Sequence, residues 1–330
     1  MSSDNLVTRV KKNPFVQGVA RRVNFYLCSR SLAHLQPLTP RRSGQAVRRL
    51  NLVVPTIRRE HLFGGIATAL RLYRQFAARL GDGVCCRIIL TEYAPNPLDL
   101  ALFSDHSLVS GDEESSAARQ ILPCVARGGK SIPVADGDIF LATQWTTAYL
   151  AQRLVAEQAA LYGRPPARLL YLIQDFEPGF YPFSSDYMLS ESTYRSEVPQ
   201  VAIFNSSPLR DYFRAAGYAF RGEYFFEPVL NARLKEHLGA LATVPKERVI
   251  LVYGRPSTPR NAFPLIVAGL RLWAAAQPSG SGWRIVSAGE PHPDVPLGNG
   301  CLLSSLGKLE LEEYARLLRR SAVGVGLMLS

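Results

Sequence analysis

The chain has 330 residues, of which 47% are hydrophobic and 20% charged, and a formal net charge of +11. That composition excludes a disulfide-stapled miniprotein, a collagen or coiled-coil rod and a disordered chain, and leaves room for two packed domains. Residues 1–50 carry ten Lys/Arg and one acid, Asp4, for a net of +9; the other 280 residues carry 28 basic and 26 acidic side chains, a net of +2. A nucleic-acid binder needs basic charge across its folded body, so the nearly neutral body excludes that class.

The five cysteines are Cys28, Cys85, Cys86, Cys124 and Cys301. None forms a CxxC pair or a Cys/His cluster with zinc spacing, and free thiols in a reducing compartment are the simplest expectation. No apolar run reaches the roughly 18 residues of a membrane helix. The N-terminus lacks a signal-peptide pattern. A cytoplasmic protein is expected, peripheral at the inner membrane face if the basic extension binds lipid.

Residues 5–34 space Val16, Val19, Ala20, Val23 and Leu27 as an amphipathic helix, with Arg21, Arg22 and Arg30 between them. Such a helix either lies on anionic lipid, making a membrane surface a partner through residues 1–34, or packs on the protein itself. Residues 36–48, with Pro37, Pro40 and Gly44, read as a linker. Strands are predicted at 50–55, 84–91, 138–143, 169–174 and 201–205, with helices at 64–80, 146–162 and 208–216. The strands lack period-two alternation, as parallel strands covered on both faces do. A second series begins near residue 248: strands at 249–253, 283–288, 302–306 and 323–329, helices at 264–276 and 311–320. Strand–helix alternation predicts doubly wound α/β domains.

Four strand ends carry candidate chemistry. His61-Leu62-Phe63-Gly64-Gly65 sits between a strand and a helix, where glycines let backbone amides approach a phosphate or a sugar hydroxyl; the alternative is a structural turn. It is neither a Walker A loop nor GxGxxG. Gln174-Asp175-Phe176-Glu177-Pro178-Gly179-Phe180-Tyr181-Pro182-Phe183 leaves the carboxyl end of a strand, where open α/β sheets bind ligands. Asp175 and Glu177 suit sugar hydroxyls, and the aromatic faces suit sugar rings. Gly254-Arg255-Pro256-Ser257-Thr258-Pro259-Arg260-Asn261 also follows a strand. Its two guanidiniums, five positions apart, can clamp a diphosphate; otherwise they are solvated arginines. Lys308, in Leu306-Gly307-Lys308-Leu309, ends a further strand and can serve as a point charge. His292 reads as structural. The five histidines show no metal-site spacing, and there is no GxSxG elbow.

The run Gly254-Arg255-x4-Arg260-Asn261 resembles the GR-x4-KG signature of retaining two-domain glycosyltransferases, with Arg260 where that family has Lys. Gly64-Gly65 resembles the family's glycine-rich turn. The segments NLVVPTIRREHLFGGIATAL and LIQDFEPGFYPFSSDYMLSEST are similar to bacterial rhamnosyltransferases of surface rhamnan and S-layer glycan synthesis, and the resemblance covers roughly residues 49–330. It implies an α/β protein of GT-B type, two Rossmann-like doubly wound domains facing each other. The expected division is a basic extension at 1–48, an acceptor-side domain at 49–235 and a nucleotide-sugar domain at 236–330. The family's paired-glutamate motif follows the strand represented by 323–329, so the second domain is expected to be incomplete.

The activity so implied is transfer of L-rhamnose, with retention, from dTDP-L-rhamnose to a glycan or lipid-linked glycan, with no metal or other cofactor. Arg255 and Arg260, assisted by Lys308, would neutralise the diphosphate. Asp175 and Glu177 would orient hydroxyls, and Gly64, Gly65 and His61 would line the donor or substrate site. Two alternatives remain at this stage: a non-catalytic nucleotide-sugar-binding protein of a glycan assembly complex, and a GT-B nucleotide-sugar epimerase.

Overall fold

The computed structural model describes residues 18–19 and 35–329 except 63, 82, 126, 128–130 and 279. The amphipathic helix expected over 5–34 lies outside the described residues apart from 18–19. The chain divides into two compact units, one built from residues up to Gln174 together with Met188–Phe226, the other from Asp175–Tyr187 and Glu227–Ser330.

The first unit contains an eight-stranded sheet. Its strands are β2 (Arg48–Val54), β3 (Val84–Leu90), β4 (Ser107–Leu108), β5 (Arg119–Pro123), β7 (Ile139–Ala142), β8 (Leu169–Ile173), β9 (Gln200–Phe204) and β10 (Gly222–Phe225). Their order is β10-β9-β8-β7-β2-β3-β5-β4, and every pairing is parallel. The chain moves outward from β2 to β3 and β5, then from β7 to β8 and β9, so the winding reverses between β2 and β7. Helix α1 (Gly64–Leu80) crosses from β2 to β3 and buries Ala69, Leu70 and Tyr73 against Leu50, Leu52, Val54, Ile88 and Leu90. The alternate residues Asn51 and Val53 are buried as well. Both faces of the strand are therefore covered, which explains its unbroken apolar run. A single helical turn, α2 (Pro97–Leu100), is capped by Asn96 and Asp99. Helix α3 (Trp145–Tyr162) opens on a Gln144/Thr147 capping box and ends at Gly163, whose φ of 63° is left-handed. Helices α4 (Ser185–Tyr194) and α5 (Ser207–Ala215) flank β9 in sequence.

The linker expected at 36–48 is instead partly a strand. β1 (Thr39–Arg42) pairs in parallel with β6 (Ser131–Val134) as a two-stranded sheet. Pro37 and Pro40 disguise it in the sequence, but an edge strand tolerates proline. Arg127, buried, donates from Nη1 to the Gln36 carbonyl at 2.8 Å, which fixes the segment's start. At the amino end of the main sheet Arg49, Arg87 and Asp138 are buried together, with Arg87 Nη2 3.2 Å and Arg49 Nη1 3.5 Å from Asp138. Burial pushes the Arg87 guanidinium below its ordinary value and the Asp138 carboxyl above it.

The second unit contains the sheet β13-β14-β12-β11-β15. These strands are β11 (Glu247–Gly254), β12 (Arg284–Gly289), β13 (Val295–Gly298), β14 (Cys301–Ser305) and β15 (Ser321–Val325), and β13 alone pairs antiparallel. Ile250 and Val252 face helix α7 (Phe263–Ala275) through Phe263, Ile266, Val267 and Leu270. Val249 and Leu251 face Leu317 of α8 (Leu311–Arg320). One strand thus presents alternate residues to helices on opposite faces, the doubly wound arrangement. Helix α6 (Ala232–Ala240) packs on α8, and Arg319 Nε donates to the Leu238 carbonyl at 2.9 Å. The last strand is shorter than the apolar run 323–329 predicted. It stops at Val325, and the Leu329 amide donates instead to the Arg260 carbonyl at 2.7 Å.

Candidate anion site at the strand ends of the second unit

In the second unit the winding reverses between β11 and β15, which flank each other in the sheet. Open α/β sheets bind ligands beyond the carboxyl ends of their strands at such a point. The Arg255–Asn261 loop begins there. Its backbone is built around Asn261, which is 1% exposed: Oδ1 accepts from the Arg255 amide at 2.7 Å, and Nδ2 donates to the Tyr253 carbonyl at 3.1 Å. Two turns complete the loop, from the Thr258 amide to the Arg255 carbonyl and from the Asn261 amide to the Thr258 carbonyl, both 2.9 Å.

Three strand ends are stitched together at this edge. The Glu290 amide donates to the Gly254 carbonyl at 2.8 Å, the Gly289 amide to the Gly307 carbonyl at 2.9 Å, and the Leu306 amide to the Ser287 carbonyl at 2.8 Å. Glycine is required twice. A Cβ on Gly254 would lie 2.1 Å from Ser287 Oγ, and one on Gly289, at φ +143°, would lie 2.4 Å from the Gly254 carbonyl oxygen. The stitching brings the loops bearing Arg255, Glu290 and Lys308 to one edge of the sheet. Arg255 and Lys308 are exposed. Glu290 accepts from the Ser257 amide at 3.0 Å. The Ser257 hydroxyl and amide, with Arg255, hold its carboxyl below the usual range.

Arg260 is held more firmly. Its Nη1 donates to Asp175 Oδ2 at 2.7 Å, and its guanidinium carbon lies 4.0 Å above the centre of the Phe180 ring. Asp175 Oδ1 in turn accepts from the Phe176 amide at 2.9 Å. The carboxylate/aromatic motif and the two-arginine motif are therefore one cluster. Glu177, by contrast, is buried at the start of a single 3-10 turn, Glu177–Phe180. His292 packs edge-on against Phe263 at 4.8 Å between ring centres, as a structural residue does.

The Gly64-Gly65 turn belongs to the first unit, beyond the carboxyl end of β2. Gly64 has a φ of +55°, and α1 begins there, so the helix N-terminus and its first amides face the strand ends. Gln174 Nε2 donates to the Gly65 carbonyl at 3.2 Å. His61 is exposed and stacks on Tyr93, which also lies 5.1 Å under the Arg58 guanidinium.

Sequence reasoning gave no role to the polar row along the same edge. Glu92 Oε1 accepts from Gln144 Nε2 at 3.2 Å and from Thr146 Oγ1 at 3.3 Å, and Asn205 Nδ2 donates to the Gln174 carbonyl at 3.0 Å. Glu92, Gln144, Gln174 and Asn205 each follow β3, β7, β8 or β9. The rule that ligands gather at carboxyl strand ends was the signal that would have found them.

Comparison with known proteins bears on what the arrangement is for. A curated protein of Myxococcus xanthus, "O-antigen biosynthesis protein RfbC", is 30% identical over 191 residues, which is 58% of this chain and 14% of the relative. The match thus spans about one-seventh of that protein's length. Residues 49–207 match the WsaF N-terminal domain family and residues 248–330 the WsaF C-terminal domain family. The first match ends within the first unit and the second lies wholly within the second unit, so the two matches follow one another along the chain in N-to-C order.

Proposed function

We propose that the chain is a glycosyltransferase of glycan biosynthesis, of the retaining GT-B kind, which moves L-rhamnose from dTDP-L-rhamnose to a surface glycan. The observation that carries this reading is the placing of Arg255, Arg260 and Lys308 on carboxyl-end loops of one WsaF C-terminal sheet. The WsaF N-terminal match and the O-antigen relative support it further.

A nucleotide-sugar donor reacts by releasing its diphosphate, and negative charge grows on the leaving oxygen as the sugar carbon departs. Fixed cations beside that oxygen lower the barrier because they need no reorganisation as the charge develops. Arg255 and Arg260 present planar forks suited to two phosphate oxygens each, and Lys308 a point charge. The helix N-terminus at Gly64-Gly65 supplies amides suited to a phosphate or sugar oxygen.

The test is calorimetric titration of dTDP and dTDP-L-rhamnose into the wild type and into Arg255→Ala/Arg260→Ala. Each guanidinium–phosphate contact is worth about 1.5–2 kcal/mol, so the double variant should bind at least a hundredfold more weakly. Equal affinity in both proteins sinks the diphosphate site. Tight binding without sugar transfer to a glycan acceptor would leave a binding protein rather than an enzyme.

A further inference from the structure

We propose that Asp175 is a positioning residue: it acts on Arg260 and not on a sugar hydroxyl. The proposal rests on the diphosphate reading and deepens it. An arginine on a loop carries four rotatable side-chain bonds, and freezing them on ligand binding opposes affinity. Here the freezing is done in advance from three directions. The backbone is fixed where the Arg260 carbonyl accepts from the Leu329 amide at 2.7 Å. The guanidinium face is fixed by Phe180 at 4.0 Å, a cation–π arrangement. One edge of the fork is fixed by Asp175 Oδ2 at 2.7 Å.

The remaining edge decides what the group can do. Among the described residues, Nε and Nη2 of Arg260 have no protein partner. They are adjacent donors of one planar fork, the pair that grips two oxygens of a phosphate. The carboxylate is instead committed inward. Its Oδ2 is bound by Arg260 and its Oδ1 by the Phe176 amide, so both oxygens are already engaged within the protein. The pair is also shielded, with side-chain exposures of 28% for Arg260 and 21% for Asp175, so it is stronger than an open surface pair. Asp175 lies across the guanidinium from the free edge. Its repulsion of a bound anion is therefore screened by the cation between them, and ordering outweighs repulsion.

A double-mutant cycle on dTDP affinity tests this. Asp175→Ala should weaken dTDP binding about tenfold in the wild-type background and less than twofold in Arg260→Ala, and Asp175→Glu should recover part of the loss. Equal losses in both backgrounds would mean that Asp175 touches the ligand itself, and unchanged or tighter binding in Asp175→Ala would mean that it positions nothing; either overturns the proposal. If the wild type binds no dTDP, the diphosphate reading fails, and positioning is read separately through modification of arginines by phenylglyoxal followed by peptide mapping. Asp175→Ala should raise the modification rate of Arg260 severalfold and leave that of Arg255 unchanged. An unchanged Arg260 rate overturns the positioning role on its own.

Discussion

At the scale of single residues, spacing revealed the cations and the fold revealed their company. Arg255 and Arg260 are legible because both follow a strand and lie five positions apart. The partner of Arg260 is not legible, because Asp175 lies 85 positions away and no local pattern ties the two motifs together. The glycines behave likewise. Gly64, at φ +55°, was visible as a turn residue before a helix, whereas Gly289 is glycine because the Gly254 carbonyl would lie 2.4 Å from its Cβ. Gly289→Ala should therefore lower the denaturant midpoint, by about 1–3 kcal/mol of stability, because a backbone atom cannot step aside as a flexible side chain can. Gly269→Ala is the control. It lies inside helix α7 with nothing within 4 Å of the added carbon, and it should raise stability by about 0.5–1 kcal/mol.

At the scale of elements, helices α4 and α6 went unpredicted, but the long apolar strands and the other long helices were legible almost to the residue: α1 and α8 have the predicted bounds. The short strands were not. β1, β4, β10 and β13 have two to four residues each, too few to set a period, and only their partners make them strands. β1 and the turn after it are held by Glu114. Its carboxylate accepts from Arg41 Nη1 at 3.0 Å, the Ser43 hydroxyl at 3.0 Å and the Gly44 amide at 2.9 Å. Partial burial pushes this carboxyl up, but the Gly44 amide, the Ser43 hydroxyl and Arg41 outweigh it, and the net shift is downward. A carboxylate lowered on folding stabilises above its unfolded value, and that contribution is lost as pH falls through the folded one. Hydrogen exchange at the Gly44 amide should therefore quicken, relative to the core strands, as the medium is acidified below about pH 4.5. Glu114→Gln should show faster exchange already at neutral pH. An amide equally protected in both proteins would mean that the strand does not depend on this carboxylate.

At the scale of the molecule, the chain forms two compact α/β units, and Glu227–Asn231 between β10 and α6 is exposed throughout, with Val229 at 77%. Limited proteolysis with thermolysin should cut first near Val229 and Leu230 and yield two main fragments; early cleavage inside either sheet instead would count against this division. The sequence by itself determined the fold class, the second α/β series beginning near residue 248, and the cations at strand ends, because each follows from period, composition and the order of elements along the chain. The tertiary structure alone decided that Asp175–Tyr187 belongs with the second unit, that Asp175 and Phe180 hold Arg260, and that Glu290 and Gly289 tie the strand ends together. These are contacts between segments far apart in the chain. They depend on strand order and register, which local patterns do not encode.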